Sequence, residues 1–85
     1  MFKNKAADGK LNISGEKIAK LRLGMPGKVS QRMLAERLQL MDIDLEKNAI
    51  QQIESGKRFV TDIELNALAK VFGVTTDELL TSDEN

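Results

Sequence analysis

Signals that start and stop helices recur at short intervals along this chain of 85 residues, and they limit the folds open to it. Short polar side chains that cap helix N-termini stand at five places, namely Ser14, Ser30, Asp44, Thr61 and Thr75. Glycines that end helices follow at positions 24, 56 and 73. Between these signals the apolar residues follow helical spacing, and no strand-like alternation is present. The pattern predicts an all-α fold of five short helices.

The first twelve residues differ from the remainder of the chain. Residues 1–12 (MFKNKAADGKLN) have no helical periodicity, so we expect a flexible or extended N-terminal arm. Residues 13–81 are expected to form one helical domain, and residues 82–85 a disordered tail. In the fourth helix we expect five residues to be largely buried: Ile63, Leu65, Leu68, Ala69 and Phe72.

The composition excludes several classes of protein. Hydrophobic residues make up 41% of the chain and aromatic residues 4%, which indicates a small core of aliphatic side chains. No apolar run is long enough for a membrane span, and the polar N-terminus is unlike a secretory signal, so a cytoplasmic location is expected. The chain contains neither Cys nor His, the usual nucleophiles, bases and zinc ligands. We therefore expect no metal, no cofactor and no enzymatic activity.

Charge is distributed unevenly along the chain. Residues 1–37 carry nine basic and three acidic residues, a net charge of +6, whereas residues 38–85 carry four basic and ten acidic residues, a net charge of −6. Such a molecule can attract phosphates on one side although its total charge is zero. Solvated basic and acidic ends explain the same pattern equally well.

The third helix has an unusual polar face. Ile50 and Ile53 are spaced to face inward, which leaves the opposite face to Lys47, Asn48, Gln51, Gln52 and Ser55. All five side chains can donate hydrogen bonds, and none is a carboxylate. Asn and Gln amides can pair bidentately with adenine, and Lys can reach the O6 and N7 acceptors of guanine.

Two motifs carry a family resemblance. The first is Ser30-Gln31 followed by Leu34-Ala35, and the second is Ile50 followed by Ile53-Glu54-Ser55-Gly56-Lys57-Arg58. With Ala69-Lys70-Val71-Phe72-Gly73-Val74 further along, the chain resembles the Cro/repressor-type (XRE-like) helix-turn-helix family. The resemblance implies a compact five-helix, lambda-repressor-like domain. It also implies a sequence-specific transcriptional regulator of double-stranded DNA, a repressor, that reads the major groove with helix 45–55.

The resemblance also assigns roles to residues. The N-terminal part of the recognition helix reaches base edges in this fold, so the expected base contacts are Lys47, Asn48, Gln51 and Gln52. The expected phosphate contacts flank that helix or open helix two: Lys28, Ser30, Gln31, Arg32, Ser55, Lys57 and Arg58. In the family an Arg on helix one pairs with a Glu beneath the recognition helix. The matching residues here are Arg22 and Glu54.

The segment between helices two and three departs from the family pattern. It has extra residues, roughly Gln39 to Ile43, and it has no Gly. We expect helix two to continue to about Met41 and a longer connection to follow, with Leu40 and Ile43 covering additional core.

A second function remains open. The acidic half of the chain also suits an antitoxin or an adaptor in which the helix-turn-helix docks a protein partner, such as a toxin or an anti-repressor. As a regulator, the chain is expected to bind DNA as a homodimer, with helix five and residues 72–80 as the candidate dimer surface.

Overall fold

A computed structural model describes residues 8–81, and the regular secondary structure in that range is entirely helical. The helices are α1 (Gly15–Leu23), α2 (Gln31–Gln39), α3 (Lys47–Glu54), α4 (Asp62–Phe72) and α5 (Thr76–Leu80). The predicted all-α, five-helix architecture is confirmed. The expectations for residues 1–7 and for the tail 82–85 lie outside the described residues.

All five helices contribute to one aliphatic core. Helix α3 packs against α1 and α2, while α4 packs against α1, α2 and α5. Within residues 8–81 no aromatic side chain is fully buried, in agreement with the low aromatic content. The connections add two core side chains to those of the helices. The buried apolar residues are Ile18, Val29, Leu34, Leu38, Leu45, Ile50, Ile53, Ala67, Leu68, Ala69 and Leu79.

Two expected core residues are exposed. Ile63 is 68% exposed because it lies in the first turn of α4, one turn before Ala67, the first buried residue of that helix. Leu40 is 89% exposed. It follows Leu38 by two residues, and two steps of about 100° place its side chain on the far side of α2 from the core. The expectation that Leu40 covers the core was wrong, although Ile43 does pack against it.

The start of α1 is capped by a residue outside the predicted domain boundary. Ser14 is the residue before the helix, but its side chain makes no capping hydrogen bond. Instead the Asn12 Oδ1 atom accepts from the amide of Gly15 at 2.8 Å. Residues 8–12 form neither helix nor strand, and the amide of Leu11 donates to the carbonyl oxygen of Gly56 at 2.8 Å. This part of the predicted arm is therefore bonded to the domain.

The connection between α2 and α3 is long, as its sequence predicted. Helix α2 ends at Gln39, so the prediction that it continues to about Met41 was wrong. Hydrogen bonds from the amide of Asp42 to the Gln39 carbonyl and from the amide of Ile43 to the Leu38 carbonyl close the turn that follows. These two bonds form a Schellman motif, which requires a residue of positive φ at its C′ position. Asp42 occupies that position with φ 62°, where most proteins place Gly.

Helix α3 begins later than predicted. Its N-cap is Glu46 rather than Asp44, and the Glu46 side chain makes no capping bond. Leu45 is 2% exposed, so the chain before the helix is held by the core. The helix thus starts directly after a buried residue and without a side-chain cap.

The last two helices start and stop as their signals predicted. The Thr61 hydroxyl accepts from the amide of Glu64 at 3.2 Å, and the Glu64 carboxylate accepts from the amide of Thr61 at 3.0 Å, which completes a capping box. At the start of α5 the Thr75 hydroxyl accepts from the amide of Glu78 at 3.1 Å. Gly73 ends α4 with φ 70°.

Replacing Asp42 by Gly should stabilise the protein. Gly adopts a positive φ without the steric cost that a Cβ brings, so Asp42→Gly should raise the free energy of unfolding by about 0.5–1 kcal/mol. Asp44→Gly is the matched control at a position without positive φ, and it should be neutral or slightly destabilising. Urea denaturation measures both. Equal effects of the two variants would contradict the role given to Asp42.

Candidate nucleic-acid interface

The outer face of α3 carries four polar side chains side by side. Ile50 and Ile53 are each 1% exposed and fix the inner face of the helix. The predicted base-contact residues all lie on the exposed side: Lys47, Asn48, Gln51 and Gln52. Within α3 no carboxylate interrupts this surface, since Glu54 is turned towards α1, but the N-cap residue Glu46 is exposed beside Lys47.

A largely buried ion pair holds α3 from beneath. The Arg22 Nε atom donates to Glu54 Oε2 at 2.7 Å, and Arg22 Nη2 donates to Glu54 Oε1 at 3.0 Å. The Arg22 and Glu54 side chains are 11% and 8% exposed. Arg22 Nη1 also donates to the Val29 carbonyl at 2.9 Å. The hydrogen bond with Glu54 raises the pKa of Arg22, although burial opposes this shift. The structure thus joins the two residues that the resemblance paired.

Gln31 takes part in the same network. It was expected to touch a phosphate, but its Nε2 atom donates to Glu54 Oε1 at 3.0 Å. Glu54 therefore accepts hydrogen bonds from side chains of both α1 and α2. Sequence reasoning missed this bond because it joins residues 23 positions apart. The only signal in the sequence was that a polar residue, Gln31, opens α2 near a Glu that was expected to lie beneath α3.

Most of the other predicted phosphate contacts are exposed. Lys28, Ser30 and Arg32 surround the N-terminus of α2, and Lys57 follows α3. Ser30 caps α2, with its hydroxyl accepting from the amide of Met33 at 3.1 Å. Ser55 is partly buried, and its hydroxyl donates to the carbonyl of Gln52 at 3.2 Å.

The guanidinium of Arg58 is hydrogen-bonded to acceptors within the protein. Its Nη1 and Nη2 atoms donate to the two carboxylate oxygens of Glu64 at 3.0 and 3.1 Å, and Nη1 also donates to the Phe59 carbonyl at 2.8 Å. Burial alone would raise the pKa of Glu64, but the hydrogen bonds from Arg58 and from the amide of Thr61 outweigh it, so the pKa is lowered. Arg58 thereby joins the loop after α3 to the start of α4.

Gly15 is a site residue that the sequence analysis did not identify. A Cβ atom at this position would overlap the carbonyl oxygen of Ile53 near the end of α3. Only a glycine allows α1 to begin so close to α3. A signal was present, because Gly is unfavourable inside a helix and usually has a packing reason there.

Together, the five-helix core and the polar, acid-free surface of α3 define a DNA-binding helix-turn-helix domain. A family model described as helix-turn-helix matches residues 18–79, well over half of the chain. The protein belongs to the Cro/repressor-type helix-turn-helix family, whose members are DNA-binding regulators. Comparison with curated proteins and with solved structures gives no significant match.

Two further features of residues 8–81 bear on the class of site. No helix in this range has the length and apolar character needed to cross a membrane. The acidic side chains that the structure describes form no group suited to holding a metal ion.

Removing the Glu54 carboxylate should destabilise the protein strongly. Glu54→Gln leaves the buried Arg22 guanidinium without a counter-charge, a change that costs about 3–5 kcal/mol in comparable pairs. Chemical denaturation measures the loss. Glu36→Gln, which changes an exposed carboxylate on α2, is the control and should alter stability by less than about 0.5 kcal/mol. Similar small effects of both variants would show that the ion pair does not hold α3.

The lowered pKa of Glu64 should appear in the pH dependence of stability. Its stabilising contribution is complete above the ordinary carboxyl pKa of 4.5 and is lost as the pH falls through the lowered folded-state value. Unfolding free energies measured from pH 6 down to pH 2.5 should therefore fall less steeply in Glu64→Gln than in the wild type. Glu64→Gln should change this slope less in an Arg58→Gln background. An unchanged acid slope in the single variant would contradict the pairing.

Proposed function

We propose that the protein is a sequence-specific transcriptional regulator, a repressor, that reads the major groove of double-stranded DNA with α3. The observation that carries this proposal is the unbroken surface of Lys47, Asn48, Gln51 and Gln52 on a helix anchored by the Arg22–Glu54 ion pair. A rigid helix with hydrogen-bonding side chains and no exposed acid matches the chemistry of base edges.

The individual side chains have distinct tasks in this proposal. Lys47 and Asn48 lie in the first turn of α3, the part of a recognition helix that reaches farthest into the groove. Asn48 and the two glutamines can each accept from and donate to an adenine, whereas Lys47 donates to a guanine.

Phosphate contacts orient the domain on the duplex. Lys28, Ser30 and Arg32 lie beside the N-terminus of α2, where free backbone amides and the helix dipole favour an anion. Lys57 contacts the backbone at the other end of α3, and Ser55 joins it only when its hydroxyl exchanges the Gln52 carbonyl for a phosphate oxygen. Gln31 and Arg58 have partners within the protein, so we assign them weaker phosphate contacts made with their remaining donors.

The repressor is proposed to act as a homodimer that covers two half-sites. One domain of this size makes few contacts, and a two-fold dimer doubles them with half-sites about 34–36 Å apart. Exposed apolar side chains near the expected dimer surface support this arrangement. Leu80 on α5 is 45% exposed, and Phe72 at the end of α4 is partly buried.

A second candidate function is an antitoxin or adaptor with a toxin or anti-repressor as its partner. The net charge of −6 over residues 38–85 favours it, since an acidic surface suits a basic protein better than it suits DNA. The two functions differ in salt dependence. DNA binding weakens steeply as salt rises, whereas an adaptor does not slow the electrophoretic migration of a DNA duplex at any salt concentration.

Selection from a pool of random duplexes tests the proposal directly. The wild-type protein should return one repeated half-site, and alanine at Lys47, Asn48, Gln51 or Gln52 should each cost about 1–3 kcal/mol and relax one position of it. Lys57→Ala should weaken binding equally for all sequences. It should also lower the salt slope, which is the slope of the logarithm of DNA affinity against the logarithm of salt concentration, by about one.

Lys70→Ala is the matched control for the lysine variants, because Lys70 is an exposed lysine on α4. It should leave both the selected sequence and the salt slope unchanged. A wild-type selection that returned no motif would reject the regulator proposal. Co-purification with a basic protein would then support the adaptor.

A further inference from the structure

A single side chain joins the N-terminal segment to both ends of the turn that follows α3. The Asn12 Nδ2 atom donates to the Ile53 carbonyl at 3.0 Å and to the Arg58 carbonyl at 2.8 Å, while Oδ1 accepts from the amide of Gly15. We propose that Asn12 is a positioning residue for DNA binding, which holds Lys57 at the phosphate backbone. This inference rests on the proposed function and adds to it a residue outside the matched helix-turn-helix region.

The turn that Asn12 bridges carries a proposed phosphate contact. Gly56 ends α3 with φ 80°, and the amide of Lys57 donates to the Gln52 carbonyl at 2.8 Å. Beyond Lys57 the chain leaves the helix, so hydrogen bonds within α3 do not fix its direction. By binding the carbonyls of Ile53 and Arg58 at once, the Asn12 amide fixes both sides of this turn.

Further contacts hold Asn12 itself in place. The amide of Leu11 donates to the Gly56 carbonyl, and the side chain of Lys10 packs so closely on Gly56 that an added Cβ would lie 2.7 Å from its Cγ atom. On the other side, Gly15 lies against the carbonyl oxygen of Ile53. Lys10, Leu11, Asn12 and Gly15 therefore all contact the end of α3 or the turn that follows it.

Both halves of the Asn12 amide are used, and they act on different elements. The carbonyl oxygen caps α1, which affects the stability of that helix. The amino group binds the end of α3 and the following loop, which affects the position of Lys57. A substitution that keeps an acceptor and removes the amino group therefore separates a structural role from a positioning role.

Asn12→Ser is that substitution, because a serine hydroxyl caps helices well but is too short to bridge two carbonyls. Asn66→Ser is the matched control, since Asn66 is an exposed asparagine on α4. DNA affinity is measured across salt concentrations with the selected duplex, well below the unfolding temperature of each variant. We expect Asn12→Ser to lose about tenfold in affinity and to lower the salt slope by about one.

A double-variant comparison gives the decisive measurement. Lys57→Ala lowers the salt slope in the wild type, and it should lower it little further in an Asn12→Ser background, because the Lys57 contact is already lost. Amide exchange at Gly56 and Lys57 in the free protein should also be faster in Asn12→Ser than in Asn66→Ser.

The outcomes distinguish a failure of the proposed function from a failure of the positioning role of Asn12. If the wild type selects no duplex, the proposed function fails and this inference fails with it. If the wild type binds and Asn12→Ser matches Asn66→Ser in affinity and slope, only the inference is overturned. A variant that is less stable but binds DNA normally at low temperature would show that Asn12 is merely structural, and that result also overturns it.

Discussion

The interaction that we propose sets the orientation of α3 is the ion pair between Arg22 and Glu54. With the added bonds to Val29 and from Gln31, this network joins α1, α2 and the connection between them to the last turn of α3. Burying two charges is costly, so such a pair adds less stability than its distances suggest. The pair also restricts geometry, because the two parallel hydrogen bonds from Arg22 Nε and Nη2 keep the Glu54 carboxylate close to the plane of the guanidinium. Helix α3 has eight residues and two fully buried side chains, too few to fix its angle by packing alone.

The side-chain hydrogen bonds that hold α3 are concentrated at its C-terminal end. Glu54 is bound at the C-terminal end, and Asn12 and Gly15 lie against the same end. At the opposite end the N-cap, Glu46, makes no side-chain bond, and Lys47 and Asn48 are exposed. Side-chain hydrogen bonds thus hold the C-terminal end of α3, whereas the buried Leu45 holds the chain just before its exposed first turn, the part of a recognition helix that reaches the bases. This asymmetry is the mechanical basis of the proposed readout.

The side chains expected to bind DNA were chosen by their chemical type, and the structure shows that type alone does not predict which of them have partners within the protein. Arg58 and Gln31 stand beside exposed cations in the sequence, yet Glu64 and Glu54 accept their hydrogen bonds. A long polar side chain reaches any acceptor nearby, and its neighbours in space come from other helices. Lys28, Arg32 and Lys57 remain exposed. The polar face of α3 could be predicted because it needs only the helical period and the two isoleucines that define its inner side.

Local signals in the sequence predict the five helices, most of their ends and the aliphatic character of the core. Caps, glycine stops and apolar periodicity act between residues within one or two turns, so they can be read along the chain. The ion pair was predicted through the family resemblance. Only the tertiary structure decided which residues support α3 from outside, since Asn12 contacts carbonyls 41 and 46 positions away. It also sets the left-handed conformation of Asp42 and the exposure of Ile63. These outcomes depend on where helix ends meet, which local propensity does not encode.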